Sequence, residues 1–139
     1  MKLKKVKRVR KVMVDMSATF LHHGHIRLLK KASKYGRVIV ALTKDKEIKK
    51  FKGYFPEINY LQRKEILESI CYVYKVVPSN FIINYEFLKK HKADLLIHGN
   101  DNKNKLNKKK ILIFKRTSGI SSSLLRKETL KIIKNVKKK

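Results

Sequence analysis

The apolar positions of this chain fall into two alternating patterns. Short, largely apolar runs at 12–16 (VMVDM), 38–42 (VIVAL), 72–77, 95–97 (LLI) and 111–114 (ILIF) read as strands. Between them lie stretches with apolar residues at helical spacing. In 22–34 these are Ile26, Leu28, Leu29 and Ala32, and Gly36 ends the helix. In 59–70, Leu61, Ile66, Leu67 and Ile70 share one face with charges opposite. A short helix is predicted over 85–91 and a last one over 121–136, with Leu124, Leu125, Leu130, Ile132 and Ile133 as its apolar positions. The segment 44–56 shows no such pattern and reads as an irregular basic loop, and 100–110 as a polar connection.

Strands alternating with helices predict an α/β fold, a Rossmann-like doubly wound sandwich on a five-stranded parallel sheet with right-handed crossovers. The continuous runs VIVAL and LLI fit strands covered on both faces. In such sheets ligands bind beyond the carboxyl ends of the strands. The loops to inspect are therefore 17–24, 43–53, 98–101 and 116–123.

Length changes the picture little: 139 residues suit one core, so a single domain is expected over 12–136, with a basic arm at 1–11 and a basic tail at 137–139. Charge changes it more. Thirty-seven Lys and Arg against ten Asp and Glu give +27, which favours polyanionic partners. One reading is nucleic-acid binding. The other is drift toward Lys, Asn and Ile, and the even scatter of the lysines favours it. The single cysteine, Cys71, excludes an internal disulfide and a Cys-based zinc site and fits a cytoplasmic protein. No apolar stretch is long enough to span a membrane, so no membrane insertion is expected.

Two loops carry unusual chemistry. His22-His23-Gly24-His25 follows the first strand and opens a helix. His22 and His25, three apart, can face one space, and the helix N-terminus there favours an anion. Gly24 lets a ligand approach the backbone. On spacing alone, a chance cluster or a three-histidine metal site fits as well. The second loop, Arg116-Thr117-Ser118-Gly119-Ile120-Ser121-Ser122-Ser123, opens the last helix. It reads either as plain N-cap chemistry or as a second phosphate cradle. His98, ending a strand at the ligand side, divides evenly between a substrate contact and packing. His23 is expected to face away and His91 to be solvated at a helix end. Tyr72, Tyr74, Phe81 and Phe87 read as core or interface.

The pair HxGH and RTxGIS(S/T)(S/T) resembles the cytidylyltransferases of the HxGH nucleotidyltransferase superfamily. The segments Phe51-Lys52-Gly53, Gln62-Arg63-Lys64 and His98-Gly99-Asn100-Asp101 resemble further motifs of that family in the same order. The chain is most similar to glycerol-3-phosphate cytidylyltransferases and to the cytidylyltransferase domains associated with phosphoenolpyruvate mutase. Thr19 stands where the family usually carries Asp, and Asn100 interrupts its GDD loop. The resemblance implies transfer of CMP from CTP to a small phosphate or phosphonate, with glycerol-3-phosphate favoured, and release of pyrophosphate. The alternatives are an adenylyltransferase of the same superfamily and a diverged, non-catalytic, basic nucleic-acid-binding protein. It further implies His22, His25, Lys52 and Arg116 as catalytic residues. Nucleotide contacts are implied for Ser17, Ala18, Gly24, Arg63, His98, Asp101, Thr117, Gly119, Ile120, Ser121, Ser122 and Ser123. Mg2+ held mainly by the CTP phosphates, and a homodimer, are expected with it.

Overall fold

The structure is a computed structural model that describes residues 8–100 and 102–138. Residues 1–7, most of the expected basic arm, and Lys139 of the tail lie outside the described residues. Five strands form one parallel sheet in the order β3-β2-β1-β4-β5: β1 (Lys11–Met16), β2 (Arg37–Thr43), β3 (Val73–Ser79), β4 (Leu95–Gly99) and β5 (Ile111–Phe114). The helices are α1 (His23–Ser33), α2 (Asp45–Lys52), α3 (Tyr60–Glu68), α4 (Tyr85–Lys90) and α5 (Ser122–Val136). The expected α/β sandwich is therefore present. Chain order reverses between β1 and β4, which fixes the crevice at their carboxyl ends. Among the described residues no helix is long and apolar enough to cross a membrane.

Strand alternation divides the core. On one face Val12, Val14, Met16, Val38, Val40, Leu42 and Ile97 pack with Leu29 and Ala32 of α1 and Leu67 of α3. On the other, Met13, Ile39, Ala41 and Leu96 pack with Ile83 and with Leu88 of α4. Continuous apolar runs are what a sheet buried on both faces requires. β3 runs through Pro78, where the sequence had ended it; as an edge strand it has no ladder bond to lose on its open side.

Four expectations need correction. The segment read as an irregular loop contains α2. Its apolar face is only two residues long, buried Ile48 and Phe51 on the cavity, while Asp45 and Glu47 begin it and Lys49, Lys50 and Lys52 end it, in line with the helix dipole. In α3 the buried face holds Arg63 and Leu67, while Leu61 is 71% exposed and Ile66 is also exposed. No residue of α5 is buried, and Leu130, Ile132, Ile133 and Val136 all face solvent. Finally, Tyr74 on edge strand β3 is 49% exposed, between the cations of Lys11 and Arg37 rather than in the core. Tyr72 packs partly against the first core cluster and Phe87 against the second, as expected.

Candidate functional site

The start of α1 is built by its own histidines. His22 is the N-cap in extended conformation, and its Nδ1 accepts the Gly24 N–H at 3.1 Å. In return, His25 Nδ1 accepts the His22 N–H at 3.2 Å. A ring nitrogen that accepts an amide proton carries none itself, so each neutral ring holds its proton on Nε2. The two rings lie 4.0 Å apart between centroids. Nε2 of His22 is buried and makes no hydrogen bond among the described residues.

Electrostatics keep both rings neutral. Burial, then His22, Arg116 and Lys52, lower the His25 pKa to about 3. Burial, His23 and Arg116 also lower that of His22. Neutral imidazoles that donate through Nε2 beside two fixed cations suit an oxyanion of phosphate type.

Gly24 has a reason more local than ligand approach. A Cβ there would stand 2.8 Å from Cε1 and 2.9 Å from Nδ1 of His22. The imidazole cap itself fills that space, so a side chain at 24 would displace it.

The second wall comes from the turn into α5. Gly119 adopts φ 75, a left-handed conformation that glycine takes without strain. Ser121 caps the helix by accepting the Leu124 N–H at 3.0 Å, and the Ser122 hydroxyl donates to the Phe20 carbonyl at 3.1 Å. The second bond ties this turn to the loop that leads into the histidines. Lys52, the last residue of α2, completes the enclosure.

The result is one cavity of about 490 Å³ at the carboxyl edge of the sheet. It gathers most residues the sequence had singled out. His22, His25, Lys52 and Arg116 line it, as do Ser17, Ala18, Gly24, His98, Thr117, Ile120, Ser121, Ser122 and Ser123. Ala18 reaches it from a left-handed conformation, φ 46. His23 is exposed and outside the wall, as expected for the variable position. Asp101 lies outside the described residues.

Arg63 is placed differently from the expected nucleotide contact. It is 2% exposed and absent from the cavity wall. Its guanidinium donates to the carbonyls of Ile58 (3.1 Å), Ser17 (2.5 Å) and Thr43 (2.9 Å) and pairs with Asp45 at 2.6 Å. A buried guanidinium needs this many partners to offset its lost hydration. It joins the loop after β1, the end of β2 and the start of α2, and so sets the His22 and Lys52 segments relative to each other. Gly119 also lies off the wall, acting through the turn. Thr19 is fully buried outside the wall, and its Oγ1 makes no hydrogen bond among the described residues. His91 is half-buried against Phe87 rather than solvated, and burial, Lys75 and Lys90 lower its pKa.

Sequence reasoning missed part of the wall. Arg27 and Lys31 continue the Gly24 face of α1 at helical spacing, a signal that was available. Phe81, read as core or interface, stacks on Phe51 with centroids 4.6 Å apart and both rings on the cavity. Asp15, Thr43 and Asn104 arrive from strand ends and a loop, with no local motif to mark them.

The sequence profile described as Cytidylyltransferase-like matches residues 19–128. The chain is 34% identical over 128 residues to glycerol-3-phosphate cytidylyltransferase of Staphylococcus aureus (strain NCTC 8325 / PS 47), covering 86% of this chain and 95% of the relative. It is 31% identical over 128 residues to the enzyme of the same name from Bacillus subtilis (strain 168), covering 86% and 97%. Among solved structures, the lipopolysaccharide core biosynthesis protein from Thermoplasma volcanium GSS1 superposes with a TM-score of 0.68 at 19% identity, over 80% of this chain and 100% of that one. That likeness speaks for the fold alone. The profile match and the relatives together establish that this chain belongs to the cytidylyltransferase-like family of nucleotidyltransferases.

Proposed function

We propose that the chain transfers CMP from CTP to a small phosphorylated acceptor, with glycerol-3-phosphate as the leading candidate and a hydroxyalkylphosphonate next. The observation that carries the proposal is the pair of neutral imidazoles, each locked by a main-chain amide on Nδ1, on one wall with Lys52 and Arg116. The names and coverage of the two bacterial relatives favour glycerol-3-phosphate.

In this reading an acceptor phosphate oxygen attacks the α-phosphorus of CTP in line. The new O–P bond forms as the bond to the β-phosphate breaks, and pyrophosphate departs with that electron pair. No covalent enzyme intermediate is required, so positioning and charge stabilisation carry the rate. Nε2–H of His22 and His25 and the Lys52 ammonium donate to the α-phosphoryl oxygens, where charge grows. Arg116 and the hydroxyls and amides at Ser121, Ser122 and Ser123 hold the β- and γ-phosphates at the start of α5.

Magnesium fits as a partner of the nucleotide rather than of a protein cage. Among the described residues no cluster of three or more His, Cys, Asp or Glu side chains is placed to hold it. Asp15, the one described carboxylate on the wall, is already bound to His98 and Asn104. When bound, the ion would neutralise phosphate charge. A cytoplasmic homodimer goes with this reading.

Pyrophosphate release with magnesium tests it, offering CTP or ATP against glycerol-3-phosphate, phosphocholine, phosphoethanolamine and 2-hydroxyethylphosphonate. The expected result is release with CTP and one acceptor. Release with ATP alone would overturn the choice of nucleotide.

A further inference from the structure

On the face of the sheet opposite α1, the same cavity has a second polar wall that the phosphoryl step does not use. β1 and β4 pair with Val14 beside Ile97, so Asp15 and His98 are the next neighbours along the strands. Val14, Met16 and Ile97 point to the α1 face, and alternation turns Asp15 and His98 the other way, with Met13 and Leu96. Asp15 is buried, and its Oδ1 binds His98 Nδ1. Its Oδ2 accepts from Asn104 Nδ2 at 3.1 Å. Asn104, also buried, accepts the Ile83 N–H on its Oδ1 at 2.6 Å, and Asn102 Oδ1 accepts its N–H at 2.9 Å. Asp15, His98 and Asn104 all line the cavity, and Lys103, Phe81 and Ile82 extend the wall.

Burial of a carboxylate is costly unless it is bonded on both oxygens, as this one is. A carboxylate on one ring nitrogen fixes the ring's orientation and tautomer, which leaves the chemistry of the other nitrogen defined. Asp15 and Asn104 direct their polar atoms into this network, so the group whose chemistry is set toward a ligand is the oriented imidazole, which pairs with a hydroxyl as donor or acceptor. The histidines and the serine turn assigned to phosphate meet beside α1, where Ile120 approaches Gly24. A substrate reaching across the sheet edge would bring its hydroxyl-bearing end to this second wall.

We infer that Asp15 and Asn104 are positioning residues that fix His98, and that His98 reads a hydroxyl-bearing portion of a substrate on the face opposite α1. Two sources share that chemistry: the ribose of the nucleotide and the glycerol chain of the acceptor. The inference deepens the proposed function and rests on it for the identity of the two substrates.

The test reads binding and turnover separately. The His98 imidazole resonances, assigned by their loss in His98→Gln, are followed by NMR as cytidine or glycerol-3-phosphate is added to the full chain. The expected result is a shift with one of them, which is lost with 2′-deoxycytidine if the ribose is read or with propyl phosphate if the glycerol is read. In turnover, Asp15→Asn and His98→Gln are expected to raise KM for that same substrate tenfold or more, with kcat within about threefold and unfolding temperature near the parent's. The penalty for the deoxy analogue should also shrink in both variants, as it does when a shared contact has already been removed. Unmoved resonances with both ligands would overturn the inference, even where turnover is present. So would variants of native stability that leave both KM values unchanged. Shifted resonances without any pyrophosphate release would support the subsite and overturn the proposed reaction instead.

Discussion

Two helix N-termini face the same cavity, and they are built in opposite ways. The start of α1 is closed on itself: His22 caps the Gly24 N–H, His25 caps the His22 N–H, and Leu29 and Ala32 root the helix in the core. The start of α5 has no buried residue behind it and is held by two side-chain ties, Ser122 to Phe20 and Arg126 to Glu57. The first end presents donors whose direction is fixed before any ligand arrives. The second presents hydroxyls and amides on a helix that can adjust. Such a division suits a reaction in which the α-phosphorus must be held exactly in line while the leaving phosphates depart.

The largest difference between the two ends should appear in turnover. His25→Ala or His22→Ala removes a fixed donor together with a main-chain cap at the start of α1, and is expected to lower kcat by about 10²–10³. Ser121→Ala or Ser123→Ala at the α5 end should cost about tenfold or less, mostly in KM for CTP. Steady-state pyrophosphate release checks both, and equal losses at the two ends would remove the contrast. The same histidine gives the α1 end a pH signature. Folded His25 titrates near pH 3 while the unfolded chain titrates near 6.5, so the unfolded state binds the proton first as pH falls. Its contribution is fully present above about pH 6.5 and is lost progressively toward pH 3. Denaturant unfolding across that window should show a steeper loss in the parent than in His25→Gln.

Gly24→Ala is the next test, because it moves the cap without touching a donor. The added Cβ would meet the His22 ring at 2.8 Å, forcing the imidazole from its place over the amide. Turnover is expected to fall about tenfold to a hundredfold, as misplacement of a reacting group by an ångström does. At the other end nothing lies within 4 Å of a Cβ on Gly119, and only the left-handed φ 75 opposes it. Gly119→Ala should therefore cost about 1 kcal/mol of stability with activity nearly kept.

These contrasts also mark what the sequence can and cannot carry. The strands at 38–42 and 95–97 were legible because burial on both faces leaves an unbroken apolar run. HxGH and the serine turn were legible because a helix start needs its special residues adjacent in the chain. α2 was not, since its apolar face is the single pair Ile48 and Phe51 set among six charged residues, short enough to read as a basic loop. The resemblance implied a nucleotide contact for Arg63, and its burial could not be read from the chain because only the tertiary fold supplies the three carbonyls and the carboxylate around it. Asp15, His98 and Asn104 come from segments 83 and 89 residues apart in sequence, so their meeting belongs to strand register alone.

The smallest expected effect concerns what holds α5. The Arg126 guanidinium lies 3.9 Å from the Tyr54 ring centroid and 5.0 Å from that of Phe20, and it grips both oxygens of Glu57. Its hydrogen bond to Glu57 lowers the pKa of that carboxyl, which fits a pair formed in the native state. Glu57 is nonetheless 56% exposed, so solvent screens the pair. A double-mutant cycle with Arg126→Met and Glu57→Gln is expected to give a coupling of about 0.5–1 kcal/mol, weaker in high salt. Arg126→Met alone should raise KM for CTP a few-fold through its lost contacts with Tyr54 and Phe20, with kcat little changed. A fall in kcat matching that of His25→Ala would mean that the α5 end is as rigidly required as the α1 end. The adjustable half of the site would then have to be sought in the groups that leave with pyrophosphate rather than in the helix that receives them.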